Sequence, residues 1–455
     1  MTPVCVAEPD LAEAYLAHLA ADQVRPADLL ADAVGSELLS VAYQDRFLPQ
    51  PVFLTATERA TLATDLRTIS DLLVSLPERL FDGSRSALAQ AVGMTPEQTA
   101  VVEGVGDAPL TPLARADLYR TPAGFRLLEH NITSALGGFE NAEINRTMLR
   151  HPALSRFVAE HGLTYVDTLR AMIDTMLAEH GVDAASGVRI ALLDSPESFP
   201  TFGPRLRVMA RMLAEWGLDA TPAHLGQLAE RNGRLLVDGR PVDAVLRYFL
   251  VEEVQTAADA ALVEIVQRAA HTGAVVLTSR LDAELYGNKG ALALLSDDRH
   301  RAAFTAGERA CIDRVVPWTR PLRGAGTDPD GERVDLARYA HAHREELILK
   351  PTNRHGGSGI VAGWTVGAEE WARAVAAALD RPFVLQHRVR PMPEPFAEES
   401  GREELVLNWG VFLVDPAAAG TPDGYGGCIV RGTRDRDVGV VSMGTGARVG
   451  CCFTG

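Results

Sequence analysis

The sequence lacks the features that mark several large classes of protein. It contains no run of about 18 or more apolar residues, the length that a membrane-spanning helix needs. Its N-terminus, Met1-Thr2-Pro3-Val4, has no basic region followed by an apolar core, so no signal peptide is expected. The net charge of −16 is opposite in sign to that of proteins that bind nucleic-acid phosphates. We therefore expect a cytoplasmic protein with no membrane and no nucleic-acid partner.

Cysteine is also scarce, and its placement excludes several kinds of site. The cysteines are Cys5, Cys311, Cys428, Cys451 and Cys452. They are odd in number and lack the paired spacing of a zinc site, and two adjacent thiols do not suit a disulfide. We predict that all are reduced and structural. No Ser-His-Asp or Cys-His arrangement stands in a recognisable context either, so no covalent enzyme intermediate is expected.

What remains is the composition of an ordinary globular protein. Hydrophobic residues make up 47% of the 455 residues and charged residues 23%. A chain of this length is too long for a single core, so two or three domains, or one composite enzyme, are expected. We predict an α/β (α+β) fold with a helical region at 1–110, a hairpin with helices at 111–185, an α/β lobe at 186–285 and a last lobe at 286–455.

The most informative stretch spans residues 345–391. It predicts a short apolar strand ending at Lys350, a glycine-rich turn at 356–359, a second strand, a helix and a further strand. Glycine permits positive φ and lets backbone N–H groups approach an anion, and a lysine adds a cation beside them. The combination suits nucleotide phosphates, although it differs from a Walker P-loop, in which the lysine follows the glycines. The alternative is a hairpin with a flexible tip and a surface lysine.

A second informative stretch is a predicted β-hairpin at 113–131. Side chains two apart on a strand share a face, so Arg115 and Asp117 project together, and so do Glu129 and Asn131. If the strands pair across their turn, all four side chains converge on one site. Hard oxygen ligands with one amide suit Mg²⁺ shared with nucleotide phosphates. The alternative interpretation is a solvated hairpin face of mixed charge.

The rest of the chain predicts scaffold and one further lobe. Helices are predicted at 10–34 and 55–81, from Thr95, and at 141–150, 151–181, 205–216, 286–297 and 368–379, and the one at 55–81 begins with a capping box of Thr55 and Glu58. Strands are predicted at 187–194, 242–246, 274–278, 383–389, 405–414 and 426–431. Loops are predicted at 326–332 and 391–401. The strand that ends at Asp194 leads into a helix, which favours an α/β lobe with a parallel sheet. No G-x-G-x-x-G follows its strands, so no dinucleotide is expected there.

Taken in order, these elements resemble the circularly permuted branch of the ATP-grasp ligases, the branch that includes glutathionylspermidine synthetase. The matching elements are Arg115-x-Asp117, Gly124, Leu128-Glu129-x-Asn131, Asn288-Lys289, Leu349-Lys350-Pro351, Gly356-Gly357-Ser358-Gly359 and Val384-Leu385-Gln386. The acids and the asparagine precede the lysine-glycine segment by more than 200 residues, as in the permuted branch. The likeness runs from about Leu113 to the C-terminus, and it implies an ATP-grasp fold with an additional α/β (pre-ATP-grasp) lobe.

The resemblance implies ATP as a cofactor and assigns its binding to one set of residues. Lys289 and Lys350 would bind the phosphates, and Gln386 with the backbone after it would receive adenine. The turn residues would form a mobile lid over the phosphates: Gly356, Gly357, Ser358 and Gly359. The gap between the two lysines is longer than the family pattern, which puts Lys289 in question. A lysine in the first turn of a helix is not favoured by the helix dipole, and Lys289 could be solvated or reach an anion.

The resemblance also implies Mg²⁺ and a reaction. Asp117, Glu129 and Asn131 would hold the metal, and Arg115 would lie near the transferring phosphoryl group. Arg431, on a late strand, would be a further contact to phosphate or to the intermediate. Some relatives carry an N-terminal cysteine amidase domain, but Cys5 has no histidine motif nearby, so no amidase activity is expected.

The reaction implied is ATP-dependent joining of a carboxylate to an amine through an acyl phosphate. The substrates would be small molecules, with amino acids, glutathione, other peptides and polyamines all open, and a homodimer is an open alternative to a monomer. The abundance of Ala, Arg, Gly and Leu indicates a GC-rich bacterial gene, and by analogy such a ligase would make a peptide-like specialised metabolite. Two other functions fit the same motifs: a phosphotransferase that does not ligate, and an inactive nucleotide-binding scaffold or sensor.

Overall fold

The computed structural model of the protein describes residues 10–105, 110–179, 181–182 and 187–455, and Cys5 lies outside them. The fold is mixed α/β, as predicted. The helices are α1 Leu11–Ala21, α2 Pro26–Val34, α3 Glu37–Tyr43, α4 Ala56–Val74, α5 Leu76–Leu80, α6 Arg85–Ala91, α7 Pro96–Glu103, α8 Asn141–Met148, α9 Pro152–Glu160, α10 Thr168–Glu179, α11 Phe199–Glu215, α12 Ala257–His271, α13 Ala283–Tyr286, α14 Lys289–Ser296, α15 Ala306–Val315, α16 Leu336–Ala342, α17 Ala368–Ala378 and α18 Pro416–Ala419. Within the described ranges, no helix has the length and apolar character needed to cross a membrane.

Five groups of strands form the sheets. The strands are β1 Val52–Leu54, β2 Ala114–Thr121, β3 Gly124–Ile132, β4 Arg189–Asp194, β5 Asp219–His224, β6 Leu228–Arg231, β7 Arg234–Val237, β8 Arg240–Pro241, β9 Ala244–Arg247, β10 Val276–Thr278, β11 Thr319–Pro321, β12 Ala325–Thr327, β13 Arg333–Asp335, β14 Leu347–Pro351, β15 Val361–Ala362, β16 Phe383–His387, β17 Glu394–Glu398, β18 Gly401–Leu413, β19 Tyr425–Thr433 and β20 Arg448–Thr454. Two of the groups are small, β12-β13 and β6-β7-β8.

A seven-stranded sheet joins parts of the chain that are far apart in sequence. Its order is β1-β20-β19-β18-β2-β3, and β17 pairs with the other end of β18. Only the β1–β20 pair is parallel among these strands, and the rest are antiparallel. The early hairpin β2-β3 therefore lies directly beside the C-terminal strands. The division into four domains stays a prediction.

This sheet is buried on both faces, which follows from the alternation of side chains along its strands. On β18, Trp409 packs into one hydrophobic cluster and Phe412 into the other. On β20, Cys452 joins the first cluster and Cys451 the second, so the two adjacent thiols point apart. The cysteines that the structure describes are free and buried, as predicted.

Two four-stranded sheets complete the fold. The first has the order β10-β9-β4-β5 with every pair parallel, which confirms the predicted parallel sheet. Strand β5 was not predicted, because it is a partly exposed edge strand that contains Pro222. The second sheet, β11-β16-β14-β15, is antiparallel, as predicted for the strands that flank the glycine-rich turn. Its core includes Trp371 of α17 and Leu349 of β14.

Several predicted elements differ from those observed. The predicted helix 10–34 is two helices, because the residue before Pro26 is disfavoured in a helix. The helix predicted at 55–81 is α4 and α5, and its capping box is confirmed. The helix predicted at 151–181 is α9 and α10, separated by a turn at Gly162, which has φ of 62°. The predicted loop 391–401 contains β17, whose flanking and internal prolines concealed it.

Candidate functional site

The predicted convergence of the hairpin side chains is present in the structure. The β2–β3 register places Arg115 opposite Asn131 and Asp117 opposite Glu129. Period-two alternation puts all four on one side of the sheet. Arg115, Asp117 and Glu129 line a cleft between the seven-stranded sheet and the β14-β16 sheet. The early hairpin and the lysine-glycine segment therefore share one site.

Two arginines hold the carboxylate of Asp117. Arg115 Nε donates to Oδ1 at 2.9 Å and Arg115 Nη2 to Oδ2 at 3.1 Å. Arg431 Nη2, on β19, donates to Oδ1 at 2.8 Å. Between β2 and β19 lies β18, which has Gly410 opposite Asp117. A Cβ at Gly410 would lie 3.1 Å from Arg431 Nη2, so the absence of a side chain there lets Arg431 reach across the strand.

Glu129 lies between the two lysines. Lys289 Nζ is 3.1 Å from Glu129 Oε2, and Asn131 Nδ2 donates to Oε1 at 3.2 Å. Burial alone would raise the pKa of the Glu129 carboxyl, but the charges of Lys289 and Lys350 outweigh it and hold that pKa well below its usual range. Glu129 is therefore ionised at neutral pH.

Lys350 is buried, not a surface residue as in the alternative interpretation. It is 5% exposed. Its Nζ donates to Gln386 Oε1 at 2.7 Å and to the carbonyl of Leu128 at 3.1 Å. Burial lowers its pKa from 10.5 to about 8. Gln386 in turn donates to Thr319 Oγ1 at 3.2 Å, so its amide orients Lys350 here, whereas the sequence predicted contact with adenine.

Lys289 connects Glu129 to the lysine-glycine segment. It is the first residue of α14, with Asn288 as N-cap, and it is 3% exposed. Its Nζ also donates to the carbonyl of Arg354 at 2.7 Å, just before the glycine-rich turn. The ion pair with Glu129 compensates for the unfavourable position of a cation at a helix N-terminus. Lys289 is therefore not solvated.

The glycine-rich turn has the backbone conformation that glycine permits. Gly356, Gly357 and Gly359 have φ of 65°, 79° and 74°. Gly356 and Gly357 line the cleft, whereas Ser358 is exposed. Side chains with a Cβ rarely adopt these angles, so valine at these positions would be strained.

The cleft is narrow and has a largely apolar wall. Its volume is about 100 Å³, smaller than the roughly 300–1,000 Å³ of most small-molecule sites, so a nucleotide requires it to widen. The segment 437–442 covers one side: Trp364 Nε1 donates to the Asp437 carbonyl at 3.0 Å, and Arg388 Nη2 to its carboxylate at 2.7 Å. The apolar lining residues are Tyr119, Leu128, Ile348, Ile360, Val389, Val440 and Val441.

The residues fit a magnesium ion in part. Glu129 and Asn131 carry a carboxylate and an amide side by side, and Mg²⁺ takes oxygens of both kinds together with phosphate oxygens. Here Asn131 turns its Nδ2 to Glu129 Oε1 and Lys289 pairs with Oε2, so these contacts would have to open for a metal. Asp117 would have to give up an arginine contact to bind metal, and its role as a ligand stays a prediction. No metal is needed to relieve repulsion between Asp117 and Glu129, because arginines and lysines already neutralise them. Across the described ranges, no group of three or more His, Cys, Asp or Glu side chains is arranged to hold a metal.

Sequence reasoning missed two features of the site. Asn408 lines the cleft and accepts a 3.4 Å hydrogen bond from Arg431; a polar residue in the apolar run 405–414 was its signal. Lys289 and Lys350 are also the only lysines in the sequence, against 42 arginines (44 basic residues less two). A chain that uses arginine almost everywhere thus has one lysine, Lys350, lining this cleft and the other, Lys289, paired with the cleft residue Glu129.

The structure resembles solved structures, although no family model and no curated protein matches the sequence. It is similar to a glutathione synthetase-like effector from Globodera pallida, with 15% identity and a TM-score of 0.52 over 98% of this chain and 96% of that chain. It is also similar to a putative gamma-glutamylcysteine synthetase from Methylobacillus flagellatus, with 13% identity and a TM-score of 0.43 over 88% and 89% of the two chains. The first likeness covers nearly all of both chains, so this chain shares the overall fold of that effector.

Proposed function

We propose that this chain is an ATP-dependent carboxylate–amine ligase that forms an amide or peptide bond through an acyl phosphate and releases ADP. We further propose that its fold is a circularly permuted ATP-grasp, with the α/β lobe around β4 as the additional pre-ATP-grasp lobe. The order of the motifs along the chain and the fold shared with a glutathione synthetase-like effector support this. The amide product would belong to specialised metabolism.

The main support for the proposal is the local excess of positive charge at the cleft of an otherwise acidic protein. Four cationic side chains, Arg115, Arg431, Lys289 and Lys350, surround two carboxylates, those of Asp117 and Glu129. Four positive charges and two negative charges leave a net charge of two positive, whereas the whole chain carries −16. Buried cations without full compensation are costly, so a polyanionic ligand is the expected partner. The triphosphate of ATP matches this charge.

The residues of the site would have different roles in phosphoryl transfer. Lys350, oriented by Gln386, and Lys289 would neutralise the phosphates, and the glycine-rich turn would close over them. Mg²⁺, when bound at Glu129 and Asn131, would neutralise further phosphate charge. Arg115 and Arg431, fixed by Asp117, would stabilise the transferring phosphoryl group and the acyl phosphate. Positioning of this kind can supply about 7–11 kcal/mol of the barrier, and closure keeps water from the acyl phosphate.

Substrate-dependent release of ADP tests the proposal. Amino acids, peptides and polyamines would be screened with ATP and Mg²⁺, with hydroxylamine added as a surrogate amine. Hydroxamate formation supports the ligase. ADP without hydroxamate supports a phosphotransferase, and ATP binding with no ADP under any condition supports an inactive nucleotide-binding scaffold.

The two lysines allow an independent test of nucleotide binding. An acyl-phosphate derivative of ATP transfers its acyl group to an amine held beside the phosphates, and arginine does not accept it. We expect acylation at Lys289 or Lys350, blocked by excess ATP, with peptide mapping as the readout. Labelling only at the N-terminal amine, or labelling that ATP does not block, would contradict the assignment.

A further inference from the structure

A second cavity, of about 430 Å³, adjoins the proposed phosphate site. Arg115, Glu129 and Arg431 line both the cleft and this cavity. Its opposite wall includes Asp194, at the carboxyl end of β4, and Glu253, in the segment after β9. Ligands of open parallel sheets bind at the carboxyl ends of the strands, and the volume lies in the range of small-molecule sites. The cavity is therefore placed and sized to hold a substrate beside the reacting phosphate.

Asp194 and Glu253 form a hydrogen-bonded acid pair on that wall. Asp194 Oδ1 accepts from Ser198 Oγ at 2.5 Å and from the backbone N–H of Ser195 at 2.8 Å. Glu253 Oε1 accepts from Ser195 Oγ at 2.6 Å, and its Oε2 accepts from the backbone N–H of Leu250 at 2.7 Å. Ser195 thus links the two carboxyl groups and fixes their positions.

Within the described residues, no lysine or arginine pairs with either acid, and the opposing charge that acts on Asp194 is that of the His224 imidazole. Asp194 is 2% exposed and its Oδ2 has no hydrogen-bond partner. Among the residues that the structure describes, neither acid has an ion pair within 4.0 Å, and Arg205, on the same cavity wall, pairs with Glu140. Burial raises the pKa of both Asp194 and Glu253. A buried acid beside a half-buried one, with neither in an ion pair, is unfavourable unless a ligand supplies a cation.

We propose that Asp194 and Glu253 bind an ammonium group of the substrate. The proposal rests on the proposed ligase reaction, because the cavity would bring the substrate's other end to Arg115 and Arg431. An amine must be neutral to attack an acyl phosphate, so the bound ammonium is a non-reacting group. It is either the α-ammonium of an amino acid or peptide or the distal ammonium of a diamine. Phe202, 51% exposed on the same cavity, offers an apolar surface for the substrate's carbon chain.

Binding measurements on the full-length protein test this without turnover. The probes are glycylglycine against N-acetylglycylglycine, and 1,4-diaminobutane against 1,4-butanediol, by calorimetry with and without a non-hydrolysable ATP analogue and Mg²⁺. We expect a cationic probe to bind and its neutral counterpart not to bind. Binding of glycylglycine would identify the bound group as the α-ammonium of an amino acid or peptide. Binding of 1,4-diaminobutane would identify it as the ammonium of a diamine. If neither cationic probe binds, or if a neutral analogue binds equally well, the proposal is wrong.

Substitutions of Asp194 and Glu253 test whether these two acids bind the cationic probe. Asp194→Asn keeps the Oδ1 acceptor and replaces the unpartnered Oδ2 with a neutral amide, so the fold should be retained. The loss of a charged hydrogen bond should weaken binding of the cationic probe about 10- to 100-fold. Glu253→Gln should act in the same direction, and exposed Glu197→Gln is the matched control with unchanged affinity. Unchanged affinity in Asp194→Asn and in Glu253→Gln would overturn the assignment.

The same variants separate this proposal from the ligase proposal. If the probe binds through Asp194 but no substrate releases ADP, the ammonium site stands and the ligase reaction fails. If a substrate is ligated and Asp194→Asn leaves its KM and kcat unchanged, the reaction stands and the ammonium site fails.

Discussion

Replacing Lys350 with methionine should remove function while leaving the protein as stable as before, or more stable. Burial lowers the Lys350 pKa from 10.5 to about 8, which at about 1.4 kcal/mol per pH unit is a penalty of about 3 kcal/mol for the charged amine at neutral pH. Methionine removes that penalty. It also loses the hydrogen bonds to Gln386 and to the Leu128 carbonyl, at about 0.5–1.5 kcal/mol each. The two effects leave the variant between about equal in stability and about 2 kcal/mol more stable.

The pH dependence of this difference has a definite sign. Below pH 8, Lys350 is protonated in both the folded and the unfolded chain, so the penalty is constant. Between pH 8 and 10.5, the folded protein releases the proton before the unfolded chain does. The unfolded state then binds more protons, and wild type gains stability relative to Lys350→Met as the pH rises.

Two measurements test this prediction: the free energy of unfolding of wild type and Lys350→Met in urea from pH 7 to pH 10, and the rate of ADP release by each protein. ATP-dependent turnover should fall at least about 100-fold in the variant, since a positioned charge on the transferring phosphate is worth that much. A variant that is more than about 2 kcal/mol less stable at pH 7, or a stability difference that does not change with pH, would refute the buried-charge reasoning. Wild-type turnover in the variant would refute the nucleotide assignment.

Three further changes test the site. Gly357→Val with Gly359→Val should lower turnover more than ATP affinity, because both residues have positive φ; equal turnover would remove the lid role. Glu129→Gln should raise the Mg²⁺ concentration needed for half-maximal rate, and it should lower the melting temperature because buried Lys289 loses its partner; an unchanged Mg²⁺ requirement would exclude Glu129 as a ligand. Trp364→Ala should speed nucleotide entry, measured by stopped-flow fluorescence, because it removes one contact that holds the segment 437–442 over the cleft; an unchanged entry rate would exclude that segment as a barrier.

Local patterns in the sequence predicted much of the fold and the arrangement of the acidic residues on the hairpin. Strand alternation correctly brought Arg115, Asp117, Glu129 and Asn131 to one face, because pairing across a short turn is fixed by nearby residues. The same patterns could not show that Lys350 is buried. One of its acceptors is the carbonyl of Leu128, which lies 222 residues earlier in the chain and comes close only when two sheets pack together. Long-range contacts of this kind leave no periodicity in the sequence.

Charge compensation in the site was hidden for the same reason. The sequence alone does not show what relieves the repulsion between Asp117 and Glu129. In the structure, Asp117 is neutralised by Arg431 of β19, which reaches it across Gly410 of β18. A glycine opposite an acid is informative only when the strand order is known, and the order β19-β18-β2 joins segments from opposite ends of the chain.

The positions of the two lysines, Lys350 in the cleft and Lys289 paired with Glu129, lead to a last prediction: arginine will not replace Lys350. A guanidinium is planar, has five donors and stays charged at any pH of interest, whereas an ammonium is compact and its pKa shifts on burial. The pocket at Lys350 offers two acceptors, Gln386 Oε1 and the Leu128 carbonyl, so Lys350→Arg would bury donors without partners. We expect Lys350→Arg to be less stable than Lys350→Met in urea and equally inactive in ADP release. If Lys350→Arg kept wild-type turnover, positive charge alone would suffice at this position, and the lysines would be there by chance.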